Sequence, residues 1–402
     1  MNKPLERFLR YASINTTSNE KAINTPSTEG QWDLARMLKQ ELTQIGVKQV
    51  SLDEHCYVYG LIPKNTDGEP VIALIAHLDT ADAVPGREFK PQVVQCTGSE
   101  ILLNAELGIT LSADDFPALA EYIGQELVVT DGTTVLGSDD KAGIAEIMTA
   151  AESLVNHPEI RHGDVWVVFT PDEEIGSGAE LLNLDLIKAD FGYTVDGGGL
   201  NEIEFENFNA ASAKVLIKGR NVHPGYAKGK MINASKVAME FHQVLPREQA
   251  PELTEGYEGF FHLRALQGTE ENAVLDYIIR DHDKASFENK KAEMLAAAQT
   301  INSMYGKGTA EVILKDSYRN MKEIIDLVPH VIQRAKKAIR ACGMKPAAIP
   351  IRGGTDGARL SFRGLPCPNL GTGGMNWHSI YEFLPVSALN KMSEVLVEIV
   401  RA

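Results

Sequence analysis

Cysteine is scarce in this chain. Its 402 residues hold four, Cys56, Cys96, Cys342 and Cys367, widely scattered and with no C-x-x-C pair. A disulfide scaffold is therefore excluded and a reduced compartment expected. Long apolar runs are missing too. The longest, such as residues 71–76, falls far short of a bilayer span, so no membrane partner is expected. There is no basic run. The 39 Lys and Arg are outnumbered by 55 Asp and Glu, for a formal net charge of −16, and so acidic a chain repels polyphosphate, so no nucleic-acid partner is expected. The opening MNKPLERFLRYASINTT contains no apolar h-region, so no secretory signal is read and the cytoplasm is the expected location. Neither an internal repeat nor a low-complexity tract occurs. What is present is 44% apolar and 23% charged residues, close to globular averages. At roughly 100–200 residues per domain, the length suggests two or three domains.

Periodicity supplies the organisation. Trp32, Leu34, Met37, Leu38 and Leu42 recur at helical spacing in the first 40 or so residues, with Ser27 and Thr28 available as caps. Up to about residue 205, apolar runs at 71–76, 165–169 and 193–195 alternate with helical patterns, the clearest at 142–155. Strands buried on both faces and alternating with helices indicate an α/β fold with a mixed, largely parallel sheet. Near Asn207 the texture changes. A strand at 213–218, a helix at 231–245, strands at 259–268 and 272–280, a helix at 285–304 and a strand at 310–315 follow in the β-α-β-β-α-β order of a split, ferredoxin-like α+β unit. Helices at 332–342 and 386–400 return to the first texture. The expected organisation is a discontinuous catalytic domain, 1–207 and 319–402, with an inserted lid or dimerisation-type domain at 208–318. Hinges are expected near Asn207 and 316–319.

Five segments place metal-type residues at or just beyond a strand end or tight turn: His77-Leu78-Asp79-Thr80, Ser138-Asp139-Asp140-Lys141, Pro171-Asp172-Glu173-Glu174, Asp196-Gly197-Gly198-Gly199, and Asn376-Trp377-His378 with Glu382 after it. Period-two alternation predicts that His77 and Asp79 face one side. Pro171 should stop its strand, leaving both glutamates on a turn. Each segment alone reads more readily as a hydrogen-bonded pair, a solvated turn or a helix cap than as a metal site. Together they converge if their strands share a sheet, because ligands gather beyond the carboxyl ends of strands in open α/β sheets. Imidazoles and carboxylates suit zinc, cobalt or manganese. The surplus of ligands over one tetrahedral ion is explained if a carboxylate is shared between two ions.

The order H-x-D-T, D-D-K-A-G, P-D-E-E-x-G, D-G-G-G and N-x-H resembles the di-zinc metallopeptidase superfamily that includes aminoacylases and glutamate carboxypeptidases. The longer stretches TDGTTVLGSDDKAGIAEIMTA, FTPDEEIGSGAE, FENFNAASAKV, NVHPG, YIIRD and PIRGGTDGARLSF are similar to its tripeptide aminopeptidase branch. That resemblance implies two Zn2+ per subunit, with Co2+ or Mn2+ as substitutes. It implies that His77 and Asp196 bind one ion, Glu174 and His378 the other, and that Asp139 rather than Asp140 bridges them. It implies further that Asp79 orients His77, that Glu173 is the general base, and that His223 approaches the scissile carbonyl. Arg280 and Arg352, whose guanidinium forks match a carboxylate, are expected with Asn233 to hold the C-terminal carboxylate of a short peptide, a salt bridge being the competing reading for either arginine. The expected function is release of the N-terminal residue from tripeptides, the alternatives being a dipeptidase, deacylase or carboxypeptidase with the same di-metal core. A metal-stabilised binding protein would lack the base that Glu173 offers. The expected partners are short peptides, with the chain a monomer or a homodimer.

Overall fold

The computed structural model describes residues 3–402. They divide into two compact units. The larger runs through Phe205 and resumes at Glu323–Ile349 and Thr355–Ala402, and the smaller comprises Glu206–Lys322 with Pro350–Gly354. Among the described residues, no helix is long and apolar enough to cross a membrane.

The larger unit is built on an eight-stranded sheet. In spatial order its strands are Lys48–Leu52, Val58–Ile62, Val165–Thr170, Ile72–His77, Phe191–Gly197, Asn369–Gly371, Glu202–Glu204 and Ala347–Ala348. The central four, Val165–Thr170 through Asn369–Gly371, are mutually parallel. Val58–Ile62 and Glu202–Glu204 join them antiparallel. The sheet is thus mixed and largely parallel, as the buried apolar runs predict. VWVVFT and IALIAH are buried at every position, which a strand covered on both faces requires. The helix Ser138–Asn156 lies against strands Ile72–His77 and Phe191–Gly197, and Lys3–Ala12 and Val386–Val400 pack on that helix. Its buried Ile144, Ile147, Met148, Ala151 and Leu154 recur every three or four residues, and each fully buried large aliphatic side chain contributes roughly 1.5–3 kcal/mol. The sheet face bearing Ala73, Ile75, Trp166 and Val168 packs on Ala179, Leu182 and Leu360.

Two helices, Lys3–Ala12 and Glu29–Ile45, occupy the segment in which one amphipathic helix was expected. Neither candidate cap serves the second of them. Thr28 stands at its N-cap without a side-chain bond to the backbone, and Ser27 donates from both its backbone N and its Oγ to Asp172 instead. The periodicity also passes over a three-stranded sheet, Phe383–Pro385, Glu126–Val129 and Gln92–Gln95, and a hairpin of Glu100–Asn104 with Ile109–Ser112. Those strands are three to five residues long, and Gln92–Gln95 is nowhere fully buried. Such short segments carry little apolar signal, and one partner lies at the far end of the chain.

The smaller unit is a four-stranded antiparallel sheet in the order Phe260–Gly268, Asn272–Asp281, Asn209–Lys218, Ala310–Tyr318. Helices Ala234–Val244 and Lys284–Tyr305 cover it, and Phe241, Leu275, Ile279, Phe287, Met294 and Ile301 form its core. The first helix begins three residues later than its apolar period suggests, because Asn233 caps it by accepting from Lys236 N. Asn207, Asn209 and Asn320, all buried, form a network. Asn207 N donates to Asn320 Oδ1, Asn320 N to Asn209 Oδ1, and Met321 N to Asn207 Oδ1. The start and the end of the segment Glu206–Lys322 are thereby tied to one cluster of buried amides.

Close approach of the helix Ser138–Asn156 to its sheet rests on one glycine. A Cβ on Gly143 would lie 2.0 Å from Val195 O. Gly143→Ala is expected to destabilise the chain by about 1–3 kcal/mol or more, measured as a lowered urea midpoint at unchanged m-value.

Candidate metal centre

The chemistry-bearing segments meet at the carboxyl ends of the parallel strands. His77 closes the strand Ile72–His77, and Asp196 is the penultimate residue of Phe191–Gly197. The strand Val165–Thr170 stops ahead of Pro171, and Glu173 and Glu174 follow on a turn. Asp139 stands at the head of the helix Ser138–Asn156 with φ −83° and ψ 104°, outside helical values. His378 lies in the loop after strand Asn369–Gly371, with φ 58°.

Two groups of three result, His77–Asp139–Asp196 and Asp139–Glu174–His378, and the ligand atoms within each lie within 4.8 Å of one another. Asp139 belongs to both. Its Oδ1 is 2.8 Å from His77 Nε2 and its Oδ2 is 3.1 Å from His378 Nε2. His77 Nε2 is also 3.4 Å from Asp196 Oδ1, and His378 Nε2 is 3.1 Å from Glu174 Oε1. Asp140 is in neither group. Its Oδ2 accepts from His77 N at 3.0 Å, which fixes the backbone of that ligand.

So many acids in one place perturb one another. Burial, then Asp139, push the Glu174 carboxyl up to about 7. Burial pushes Asp196 up to about 7 as well, against the pull of His77. Glu173 is driven well above the carboxylate range by burial and by Asp196, Asp356 and Glu174. Asp139 stays low: burial opposes this, but His378 and His77 outweigh it. A hydrogen bond to Asp139 and the adjacent Glu174 carboxylate raise His378 to about 11. Perturbation of this kind, concentrated in one cluster, is what functional sites show.

Asp79 lies two residues beyond His77, past the last strand residue, and faces it as the alternation predicts, with Oδ1 3.3 Å from His77 Nδ1. Its two oxygens also accept from Glu173 N and Glu174 N at 2.9 and 3.2 Å. One fully buried carboxylate thus orients an imidazole of the first group and the turn carrying Glu174 of the second. Asp172, at φ 57°, holds the other side of that turn by accepting from Ser27 and from Gln31 Nε2.

A model of the peptidase dimerisation domain matches residues 205–306. A peptidase T of Caldanaerobacter subterraneus is 53% identical over 402 residues, spanning 100% of this chain and 98% of the relative. A peptidase T of Clostridium novyi is 52% identical over 402 residues, spanning 100% and 99%. The chain belongs to the peptidase T family. Among solved structures, an aminopeptidase PepT from Bacillus cereus superposes with a TM-score of 0.79 at 24% identity, over 99% of this chain and 97% of the other. A dinuclear metal-binding peptidase from Bacillus subtilis superposes with a TM-score of 0.65 at 16% identity, over 99% and 96%. These two share the fold.

Within this chain, the residues of the smaller unit expected to meet substrate are spread along its elements. His223 is exposed, and its Nδ1 accepts from Gly225 N at 3.2 Å. Arg280 lies near the end of strand Asn272–Asp281, stacked over Tyr318 at 5.2 Å, with Nη1 donating to Ile279 O. Asn233 is the helix cap already described. Arg352 is differently engaged from a carboxylate clamp. Its Nη1 donates to Gly256 O and Glu258 O, its Nη2 to Thr254 Oγ1, and it stacks over Phe208 and Phe260. The arrangement fastens the 254–258 loop and is not a salt bridge either.

The motifs also hid several residues. Asp356, buried, accepts from Thr170 Oγ1 at the end of a central strand. Lys141, buried, donates from Nζ to Ile14 O at 2.6 Å and stands over the Phe89 ring. Its place inside D-D-K-A-G was the only available signal. Glu382 was visible merely as an acid four residues past His378.

The donor set fits a pair of divalent ions. Imidazole and carboxylate are suited to them, and Glu174 Oε1 is buried without a hydrogen bond although His378 Nε2 is 3.1 Å away. Such an orphaned acceptor is costly unless a cation meets it. Asp79→Ala removes the orienting partner of His77 and is expected to weaken metal binding by roughly 10–100-fold, read by competition with a chromophoric chelator.

Proposed function

We propose that this chain is a metal-dependent aminopeptidase of the cytoplasm that releases the N-terminal residue from tripeptides. The observation that carries the reading is the Asp139 carboxylate between His77 and His378, with Glu173 on the adjoining turn. The names of its full-length relatives support it. Zinc is the metal the ligands suit best, with cobalt or manganese as substitutes. His77 and Asp196 would hold one ion, Glu174 and His378 the other, and Asp139 both. Bound there, the ions would supply Lewis acidity to a water molecule and to the scissile carbonyl.

The residues of the chain perform the remaining work. Glu173 takes a proton from the water as its oxygen adds to the peptide carbon, and delivers that proton to the leaving nitrogen as the C–N bond breaks. The bond from Gly225 N to His223 Nδ1 leaves the neutral imidazole with its proton on Nε2. His223 is thereby prepared as a donor to the carbonyl oxygen where negative charge develops. Arg280 is assigned to the peptide's C-terminal carboxylate, with Asn233, while Arg352 fastens the 254–258 loop. The match to a peptidase dimerisation domain favours a homodimer over a monomer.

Unblocked tri-Ala should be cleaved to Ala and di-Ala, and chelation should abolish the reaction. Better hydrolysis of di-Ala or N-acetyl-Ala would overturn the tripeptide assignment in favour of a dipeptidase or deacylase. Glu173→Gln is expected to retain both metals and the fold while turnover falls at least ~10²–10⁴-fold, as metal analysis beside steady-state kinetics would show. Arg280→Ala should raise KM for tri-Ala by roughly 10–100-fold, the loss of a charged hydrogen-bond pair. An unchanged KM would remove Arg280 from the clamp.

A further inference from the structure

Glu382 belongs to neither group of candidate ligands, yet it is 1% exposed and lies beside both. Its Oε2 accepts from Leu136 N at 2.7 Å and from Gly137 N at 3.0 Å. Its Oε1 accepts from Ser138 N at 2.7 Å and Ser138 Oγ at 2.5 Å, and Asp139 N approaches the same oxygen at 3.4 Å. The acceptors of one buried carboxylate are thus filled by the four residues that end on the shared ligand. The local sequence explains the need. The first N–H groups of a helix have no partner within it, and a nearby Ser, Thr, Asp or Asn ordinarily accepts from them. Here the N-cap is Gly137, which has no side chain and takes φ 76°. An acid 243 residues away accepts in its place.

The same acid lies at the end of the loop that carries His378, immediately before the strand Phe383–Pro385, which pairs with Glu126–Val129. One side chain therefore joins the Asp139 segment to the His378 loop. His378 is the ligand with the least other support. Its side chain is 50% exposed, against 2% for His77. His77 is further held by Asp79 and by the bond of its backbone N to Asp140.

We propose that Glu382 is a positioning residue that sets the spacing of Asp139 from His378 and so maintains the Asp139–Glu174–His378 half of the metal centre. The proposal rests on the two-metal reading above and adds an asymmetry to it. Removing Glu382 should impair one half of the centre while leaving the His77–Asp139–Asp196 half largely intact. Glutamine fills the same volume but offers one oxygen, and its amide protons face two N–H donors, so Glu382→Gln should lie between wild type and Glu382→Ala.

The test is calorimetric titration of the metal-free, full-length chain with Co2+, followed also by visible absorption, for wild type, Glu382→Gln and Glu382→Ala. Thermal unfolding of each metal-free protein is recorded in parallel. Wild type is expected to take up two ions. Glu382→Ala should bind the first with near-wild-type affinity and the second roughly 10–100-fold more weakly, with an altered spectrum only in the second phase. A merely structural role would lower the unfolding temperature and weaken both phases alike, which overturns the proposal. So do two unchanged phases. If Glu382→Ala does not fold, the smaller, second-phase loss expected of Glu382→Gln decides. A wild-type chain that binds fewer than two ions overturns the metal reading, and this inference with it. Two ions in wild type with equal behaviour in the variants overturns this inference alone.

Discussion

Asp139 presents one oxygen to His77 and the other to His378, at 2.8 and 3.1 Å, and the surrounding side chains are arranged to let it do so. A carboxylate in that position draws other acids into a small volume: Glu174 and Asp196 as candidate ligands, with Asp140, Glu173 and Asp356 alongside. Unpaired buried charges of one sign are costly. Burial, and after it the neighbouring Asp139, push Glu174 and Asp196 up to about 7. A divalent ion in each group would replace protons on these ligands, so metal uptake and deprotonation would be linked. The braces follow from the same constraint. Asp79, Asp140 and Glu382 accept mainly from backbone N–H groups of the ligand segments, and Asp172 ties its own turn to Ser27 and Gln31.

The chain's −16 is a separate matter. Only a few of its 55 acids lie at the centre, and the rest still outnumber the 39 basic residues. The negative balance belongs to the surface, where it favours solubility. Within the smaller unit, segment 207–239 contains Lys and Arg at 214, 218, 220, 228, 230 and 236 and no acid. An acidic protein thus carries a locally basic stretch around His223.

The parallel sheet was legible because fully buried strands read as unbroken apolar runs, and the smaller unit because its six elements follow one another without interruption. The five chemistry-bearing segments were legible because each pairs a metal-type residue with a Gly, Pro or strand end. The braces were not. Glu382 acts on residues some 243 positions away, and nothing local to EFLP distinguishes it from a solvated acid. Asp79 was legible only as a neighbour of His77, because its other role depends on the N–H groups of a turn almost a hundred residues on. Arg352 looked like a free fork because the carbonyls that occupy it lie on an irregular loop, 254–258, which has no periodicity to reveal it. Pattern reports the faces of regular elements, while long-range bonds from single side chains leave no trace in it.

The asparagine cluster that joins Asn207, Asn209 and Asn320 has a consequence for how the chain folds. The first and last strands of the smaller unit are direct neighbours, with Ala210 opposite Tyr318. Once that sheet forms, a connection of more than a hundred residues becomes, for the larger unit, a link of a few. The entropy of closing so long a loop, roughly 2–3 kcal/mol more than for a short one, is then settled by the smaller unit's own folding. Strand Asn369–Gly371 can reach strand Phe191–Gly197 as though nothing stood between them. The assembly of the larger sheet is expected to follow, and to depend on, the early formation of its insert.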